Sequence, residues 1–135
     1  MIAMTAEQDL PAAVTAVVRQ AGARLLTRFS TGSRPTNPDE LLAALRANDT
    51  IVADLLRPAL TQLVPGSRWE EDEHACGPMD SGDWWVVDPV GGNINTVHGM
   101  PDWNIGVSLV RDGRPVLAVL HTPPADETFT AIAGG

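Results

Sequence analysis

The chain has 135 residues, of which 44% are hydrophobic, and this length suffices for one packed domain but not for two ordinary ones. Nine basic and 17 acidic residues give a formal net charge of -8, which argues against nucleic acid or an anionic membrane as the partner. The single cysteine, Cys76, excludes an internal disulfide, and no apolar run approaches the roughly 20 residues that cross a bilayer. We therefore expect a soluble, cytoplasmic protein.

Two helical regions open the chain. Apolar residues at helical spacing from about residue 9 to 29 predict an amphipathic helix. Pro38, followed by acidic residues, predicts the first turn of a second helical region. Asn48 and Asp49 interrupt its apolar pattern, and Pro58 lies further on. We expect two helical segments that meet at Asn48, with a kink or break before Pro58.

The second half of the chain reads as β-structure. Asp112 and Gly113 are a strong hairpin signal between two of its apolar runs. Four runs are strand-like: Trp84 to Val87, Ile105 to Val110, Pro115 to Leu120 and Thr128 to Ala133. The predicted fold class is α+β, with two N-terminal helices packed on a mainly antiparallel sheet. We expect a single domain over residues 1–135, helical over about 7–64 and sheet over about 83–133.

An acidic run lies between the two halves. Residues 65–82 show no clear period and contain four consecutive carboxylates, from Glu70 to Glu73. This run is either a solvated turn or a segment in which one or two carboxylates hold a divalent cation. His74 and Cys76 follow it, but one histidine and one cysteine without a second pair are weak support for zinc.

The stretch from Asp83 to Pro101, DWWVVDPVGGNINTVHGMP, carries the candidate site. Its apolar run delivers Asp88 to the end of a strand, where Pro89 is expected to stop the ladder. A carboxylate at a strand end beside a glycine turn is a place where a cation and a phosphate can meet. The same residue types also occur at purely structural strand-to-helix junctions.

The turn after this strand has its own chemistry. Gly91 and Gly92 permit a positive φ and a close approach of a ligand to the backbone. Asn93 or Asn95 is positioned to cap a following helical turn. Helix-start amides bind anions, so the turn is a candidate phosphate site.

The run WVVDPVGGNINTVHGMP resembles the inositol monophosphatase family, whose pattern here is W-x-x-D-P-x-D-G-T-x-N-F-V-H-G-x-P. The hairpin and strand that follow are similar to the family's, and the two helices fit it as well. The 135 residues look like the family's N-terminal α+β half, with the C-terminal α/β half absent. The resemblance implies Mg²⁺-dependent hydrolysis of small phosphorylated molecules.

The resemblance also assigns metal ligands. Asp88 falls on the first aspartate of the motif, and Val90 on the residue that offers its backbone carbonyl to metal. Gly91 falls on the second aspartate, so a side-chain ligand is missing and a two-metal mechanism is weakened. The metal site is therefore degenerate relative to the family pattern.

The family's Glu-Glu pair lies in the acidic run. Asp49 matches an acidic position at the start of the family's second helix, and counting from it without a gap puts Asp72 and Glu73 on the pair. Glu70 and Glu71 serve with a small shift of the count.

The remaining matches concern catalysis and phosphate. Asp49 and Asn93 fall on the catalytic positions, with Asn93 in place of the threonine that helps to orient the attacking water. Gly91, Gly92 and Asn93 take the phosphate-binding positions, which need backbone amides. The rest of the motif is retained at Asn95, Val97, His98, Gly99 and Pro101. His98 is interpreted as a structural hydrogen-bonding residue.

Three functions remain open from the sequence. The first is a divalent-cation-dependent phosphomonoesterase. The second is a metal-free acid-base enzyme in the same cleft, with a pocket lined by tryptophans among Trp84, Trp85 and Trp103 and with catalytic groups among Glu73, Asp88, His98 and Asp102. The third is a non-catalytic binding protein. In each case we expect a homo-oligomer, or a partner that covers the face of the missing half. A fragment of a longer phosphatase-like protein is a further possibility.

Overall fold

The structure is a computed structural model that describes residues 6–29, 34–70 and 81–134. Its helices are α1 (Ala6–Leu26), α2 (Pro38–Leu63) and the short α3 (Asn93–Val97). Its strands are β1 (Arg68–Trp69), β2 (Asp83–Gly91), β3 (Asn104–Arg111), β4 (Arg114–Thr122) and β5 (Glu127–Ile132), with a 3₁₀ turn at Pro123–Ala125.

The two long helices form where the apolar period predicts them. α1 buries residues three and four apart on one face, namely Val14, Val18, Ala21 and Leu25. α2 begins at Pro38, and the side chain of Asn37 caps it by accepting the Glu40 amide at 2.9 Å. The predicted start of the second helical region is thus confirmed.

The predicted division of α2 is wrong. The helix is continuous from Pro38 to Leu63 and passes through both Asn48 and Pro58. Asn48 does not cap a new segment, because its side chain is bonded to residues of other elements. The buried stripe of Val52, Leu56 and Leu60 continues on both sides of Pro58. Packing of this stripe outweighs the local cost of the proline.

The strands form one sheet in the order β1-β2-β3-β4-β5. β1 pairs parallel to β2, and the other neighbours are antiparallel. The predicted hairpin is present between β3 and β4, with positive φ at Asp112 (52°) and Gly113 (79°). β1 was not predicted, because two residues are too short to show a period.

The end of β2 differs from the prediction. Pro89 does not stop the ladder, because β2 runs on to Gly91, which pairs with Asn104. The register shifts between Asp88 and Gly91, so the missing amide of Pro89 falls in an irregular stretch of the strand. Asp88 therefore lies beside this irregularity rather than at the strand end.

Among the described residues, helices cover one face of the sheet and leave the other open. α1 packs against β4, and α2 packs against β2. Odd-numbered residues of β2 to β4 point toward the helices and form the core with them, including Trp85, Val87, Ile105, Val107, Leu109, Leu117 and Val119. The opposite face carries Val86, Asp88, Ala118, Leu120 and Phe129, which line one groove. No helix in the described ranges is long and apolar enough to span a membrane.

Candidate functional site

A polar network joins the middle of α2 to the start of α3. Asn93 donates through Nδ2 to the Leu45 carbonyl at 2.8 Å and to Asp49 Oδ1 at 3.3 Å. Its Oδ1 accepts from Asn48 Nδ2 at 3.0 Å, and Asn48 Oδ1 accepts from Arg28 Nε at 3.0 Å. We call these residues, Arg28, Leu45, Asn48, Asp49 and Asn93, the helix-side network. It brings together the two residues predicted to be catalytic, Asp49 and Asn93.

Asp49 of α2 lies near enough to Asp88 of β2 for their charges to interact, and we call the region where the two elements meet the cleft. Burial raises the pKa of Asp49, and the negative charge of Asp88 raises it further. The negative charge of such a carboxylate is destabilised, and either a bound proton or a bound cation offsets this cost. The pair is therefore suited to acid-base chemistry and to holding positive charge.

A second group of residues lies at the end of β2. Gly91 faces Asn104 of β3 in the ladder. A Cβ placed on Gly91 would fall on Asn104 Oδ1, and it would lie 3.1 Å from Asp88 Oδ2. We call Asp88, Gly91 and Asn104 the strand-side group. Asn104 occupies the space in which a side chain at position 91 would begin.

Glu70 is the part of the acidic run that the structure places at the cleft. Its amide donates to the Trp85 carbonyl at 2.9 Å, which fixes it beside β2. A cavity of about 330 Å³ next to it is lined by Asp49, Glu70 and Pro89, among others. Residues 71–80 lie outside the described ranges, so the predicted ligands Asp72 and Glu73, and also Glu71, are not placed.

The glycine turn is shaped by contacts as well as by φ. Gly92 has φ 76°, and a Cβ there would lie 2.5 Å from the Asp102 carbonyl, so only glycine fits. Gly92 itself is the N-cap of α3, and neither predicted asparagine caps this helix. Asn93 turns to α2 instead, and Asn95 Nδ2 donates to the Asp102 carbonyl at 2.6 Å. Tertiary contacts thus take both side chains away from the cap.

Other predicted residues have structural places. His98 Nδ1 is 2.8 Å from the Ile94 carbonyl, as a structural histidine requires. Val90 has a buried side chain, so only its backbone is available to a ligand. Trp85 and Trp103 are core residues, with Trp85 bonded to Ser67. A metal-free site built around them gains no support from these positions.

The sequence did not predict that Asn48 and Asn104 belong to the site. Asn48 is 3% exposed and precedes Val52, Leu56 and Leu60 at four-residue spacing, so it continues the buried stripe of α2. A polar residue on a buried helical face is a signal that was available in the sequence. Asn104 had no such signal, because its contact with position 91 depends on the β2-β3 register.

Comparison with known proteins matches the chain to one family. The model of the "Inositol monophosphatase family" matches residues 5–135. The chain is 41% identical over 89 residues to "Fructose-1,6-bisphosphatase/inositol-1-monophosphatase" of Thermotoga maritima, covering 62% of this chain and 35% of that protein. It is 29% identical over 135 residues to "Inositol monophosphatase" of Dictyostelium discoideum, covering 98% of this chain and 49% of that protein.

The solved structures agree in fold. The extragenic suppressor protein suhB from Bartonella henselae matches with a TM-score of 0.71 and 24% identity, over 93% of this chain and 48% of that one. The α+β fold predicted from the sequence is confirmed. The chain spans about half the length, or less, of the relatives that it matches.

The carboxylates of Asp49 and Asp88 offer the kind of oxygen ligand that a divalent cation prefers. Burial and then the nearby charge of Asp88 raise the pKa of Asp49, and a bound cation would offset both effects. At Gly91, the Asn104 carboxamide fills the space in which a side chain would begin. Within residues 6–29, 34–70 and 81–134, no three Asp, Glu, His or Cys side chains form a group that could hold a metal ion.

Proposed function

Because the chain belongs to the inositol monophosphatase family, we propose that its cleft hydrolyses the phosphomonoester of a small phosphorylated metabolite with one Mg²⁺ ion. The observation that carries this proposal is the convergence of Asp49, Asn93 and Asp88 from α2, α3 and β2. Because Gly91 offers no side-chain ligand, these residues support a reaction with one cation rather than two.

Each residue of the cleft has a proposed role. Asp88 and the Val90 carbonyl would hold the cation together with carboxylates of the acidic run, either Asp72 and Glu73 or Glu70. When bound, the cation polarises the phosphoryl group and lowers the pKa of water. This oxygen-rich donor set is of the kind that Mg²⁺ prefers.

The helix-side network would activate and orient water. The pKa of Asp49 is raised toward neutral pH, and a pKa nearer the working pH suits a general base. Asn93 is held by bonds to α2 on both ends of its carboxamide, so it would fix the position of Asp49 and of the water. The backbone of Gly91, Gly92 and Asn93 would approach the phosphate, which glycine permits.

A paired assay tests this function. Phosphate release from a panel of inositol and sugar phosphates is measured with Mg²⁺ for the natural chain, Asp49→Asn and a control, Asp126→Asn. Asp126 is exposed and directly precedes β5. Its φ of 52° is one that asparagine tolerates. Loss of a general base should lower the rate by about 100-fold or more, with little change in the control. Equal rates in all three proteins would contradict the assigned role.

We further propose that the part of the open face formed by Leu120 of β4 and Phe129 of β5, and not the part at Asp88, contacts a second copy of this chain. Leu120 and Phe129 on this face are 40% and 56% exposed, and apolar patches of this kind usually find a partner. Phe129→Glu should shift the assembly toward monomer in light scattering at micromolar concentration. Leu42→Glu is the matched control, since Leu42 is 47% exposed on α2. A natural chain that is monomeric at that concentration would refute the assembly.

The proposed compartment is the cytoplasm. The single cysteine supports a reducing environment, because one thiol cannot form the internal disulfides that stabilise proteins in oxidising compartments. Fractionation of cells that express the tagged chain tests this placement, and recovery outside the cytoplasmic fraction would reject it.

A further inference from the structure

Gly91 and Asn104 occupy one space from two strands. They are register partners in the β2-β3 ladder, beside the shift between Asp88 and Gly91. A Cβ on Gly91 would fall on Asn104 Oδ1 and would lie 3.1 Å from Asn104 Cγ. The carboxamide of Asn104 therefore reaches across the ladder to the position where a side chain of residue 91 would start.

The backbone does not explain the glycine at position 91. Gly92 has φ in the left-handed region, but Gly91 does not. An L-residue at position 91 would therefore adopt the observed backbone without strain of this kind. A side chain there would have to displace the Asn104 carboxamide, so the two residues compete for one space.

The oxygen of Asn104 lies beside a carboxylate that is free to bind a ligand. The same Cβ position at Gly91 contacts Asn104 Oδ1 and is 3.1 Å from Asp88 Oδ2. Neither the Asp88 carboxylate nor the Asn104 carboxamide forms a hydrogen bond or ion pair with another residue in the described ranges. Asparagine and carboxylate oxygens together are typical ligands of hard divalent cations.

We propose that Asn104 is a cation ligand, supplying from β3 the oxygen that position 91 supplies from β2 in the family pattern. This inference rests on the proposed function, because it concerns the same cation. The donor changes from a carboxylate to a neutral carbonyl oxygen, and the site loses one negative charge. The ligand class is a single hard divalent cation, bound more weakly than by two carboxylates.

Mn²⁺ affinity tests this assignment without reference to turnover. Free Mn²⁺ is followed by electron paramagnetic resonance during titration of the natural chain, Asn104→Ala and Asn104→Asp. Restoring a carboxylate in Asn104→Asp should tighten Mn²⁺ binding by about tenfold, and Asn104→Ala should weaken it several-fold.

The control makes the same chemical change elsewhere. Gln62→Glu converts an exposed amide to a carboxylate 13 residues along α2 from Asp49, or about 20 Å at 1.5 Å per residue. This separation exceeds the screening length of about 8 to 10 Å at ordinary salt. The Mn²⁺ affinity of Gln62→Glu should stay within twofold of the natural chain.

A swap keeps the test valid if one variant folds poorly. Gly91→Asp alone should bind Mn²⁺ no better than the natural chain, because Asn104 blocks the new side chain. Adding Asn104→Ala clears the space, so the double variant should match Asn104→Asp. Circular dichroism shows which variants are folded.

The outcomes separate this inference from the proposed function. Unchanged Mn²⁺ affinity in Asn104→Ala, Asn104→Asp and the folded swap would overturn the role of Asn104, whatever the rate of phosphate release. If the natural chain binds no Mn²⁺, Asn104 is not a cation ligand and the inference is overturned. Absence of phosphate release from all substrates would reject the proposed function alone.

Discussion

We call the helix-side network and the strand-side group the two walls of the cleft, because Asp49 and Asp88 lie near enough for their charges to interact. The two walls differ in how their polar atoms are satisfied. Asn48 and Asn93 use both ends of their carboxamides in bonds between 2.8 and 3.3 Å. Asp88 and Asn104 form no hydrogen bond or ion pair within the described residues. Satisfied polar groups hold elements together, whereas oxygens without a protein partner are available to a ligand. One wall of the cleft is therefore built for position and the other for binding.

The largest effect should come from the strand side. Asp88→Asn removes the charge that attracts a cation, so Mn²⁺ affinity should fall by about 100-fold. Its stability should change little, because no hydrogen bond to another described residue is lost. Calorimetric titration and urea unfolding measure the two quantities. Unchanged cation affinity would show that Asp88 is not a ligand.

On the helix side, the main effect should be on stability. Asn48→Ala leaves Arg28 Nε and Asn93 Oδ1 without their partner in a partly buried network. We expect a loss of about 2 to 3 kcal/mol in the free energy of unfolding. Asn104→Ala, the matched change on the other wall, should cost less than about 0.5 kcal/mol. Equal losses in urea unfolding would erase the distinction between the two walls.

The pair of Gly91 and Asn104 gives an intermediate effect. Gly91→Ala places a methyl group on the Asn104 carboxamide and should cost about 1 to 2 kcal/mol. Adding Asn104→Ala should recover at least half of this loss, because the obstructing atoms are gone. Urea unfolding of both single variants and the double variant measures the coupling. Additive losses would mean that the two residues do not compete for space.

The smallest effect lies outside the cleft, at His121. Burial lowers the pKa of this histidine, whose Nδ1 is 2.9 Å from the Glu127 carbonyl and from Thr128 Oγ1. The unfolded chain then binds a proton more readily than the folded one. Stability should be constant above the ordinary histidine pKa of about 6.5 and should fall as pH drops below it, by at most about 1.4 kcal/mol per pH unit.

The slope is read from urea unfolding between pH 7.5 and 5.5. His121→Gln should remove the part of this pH dependence that comes from His121, even if the variant is less stable at every pH. A slope of the same size in this variant would assign the pH dependence to other groups. Asp49, whose pKa is raised by burial and by Asp88, should act in the opposite direction, because the folded chain binds its proton more readily than the unfolded one.

The elements with a strong local pattern were predictable. The first helix, the start of α2 at Pro38, the β3-β4 hairpin and β5 follow from periodicity and turn residues within a few positions of each other. The motif around Asp88 identified the family for the same reason, since its residues are close in sequence. The two-residue β1 and the continuation of α2 through Asn48 were missed, because neither depends on local pattern.

The chemistry of the site was decided by docking of elements. Asn93 reaches Leu45 and Asp49, 48 and 44 residues away, and it does so because α2 packs against the end of β2. The resemblance put Gly91 where the family pattern has a metal ligand. It did not show that Asn104 fills the space in which a side chain at position 91 would begin. Local sequence determines which segments become helices and strands, since those preferences act between neighbours. Contacts across the sheet and between layers depend on register and packing, and only the tertiary structure determines these.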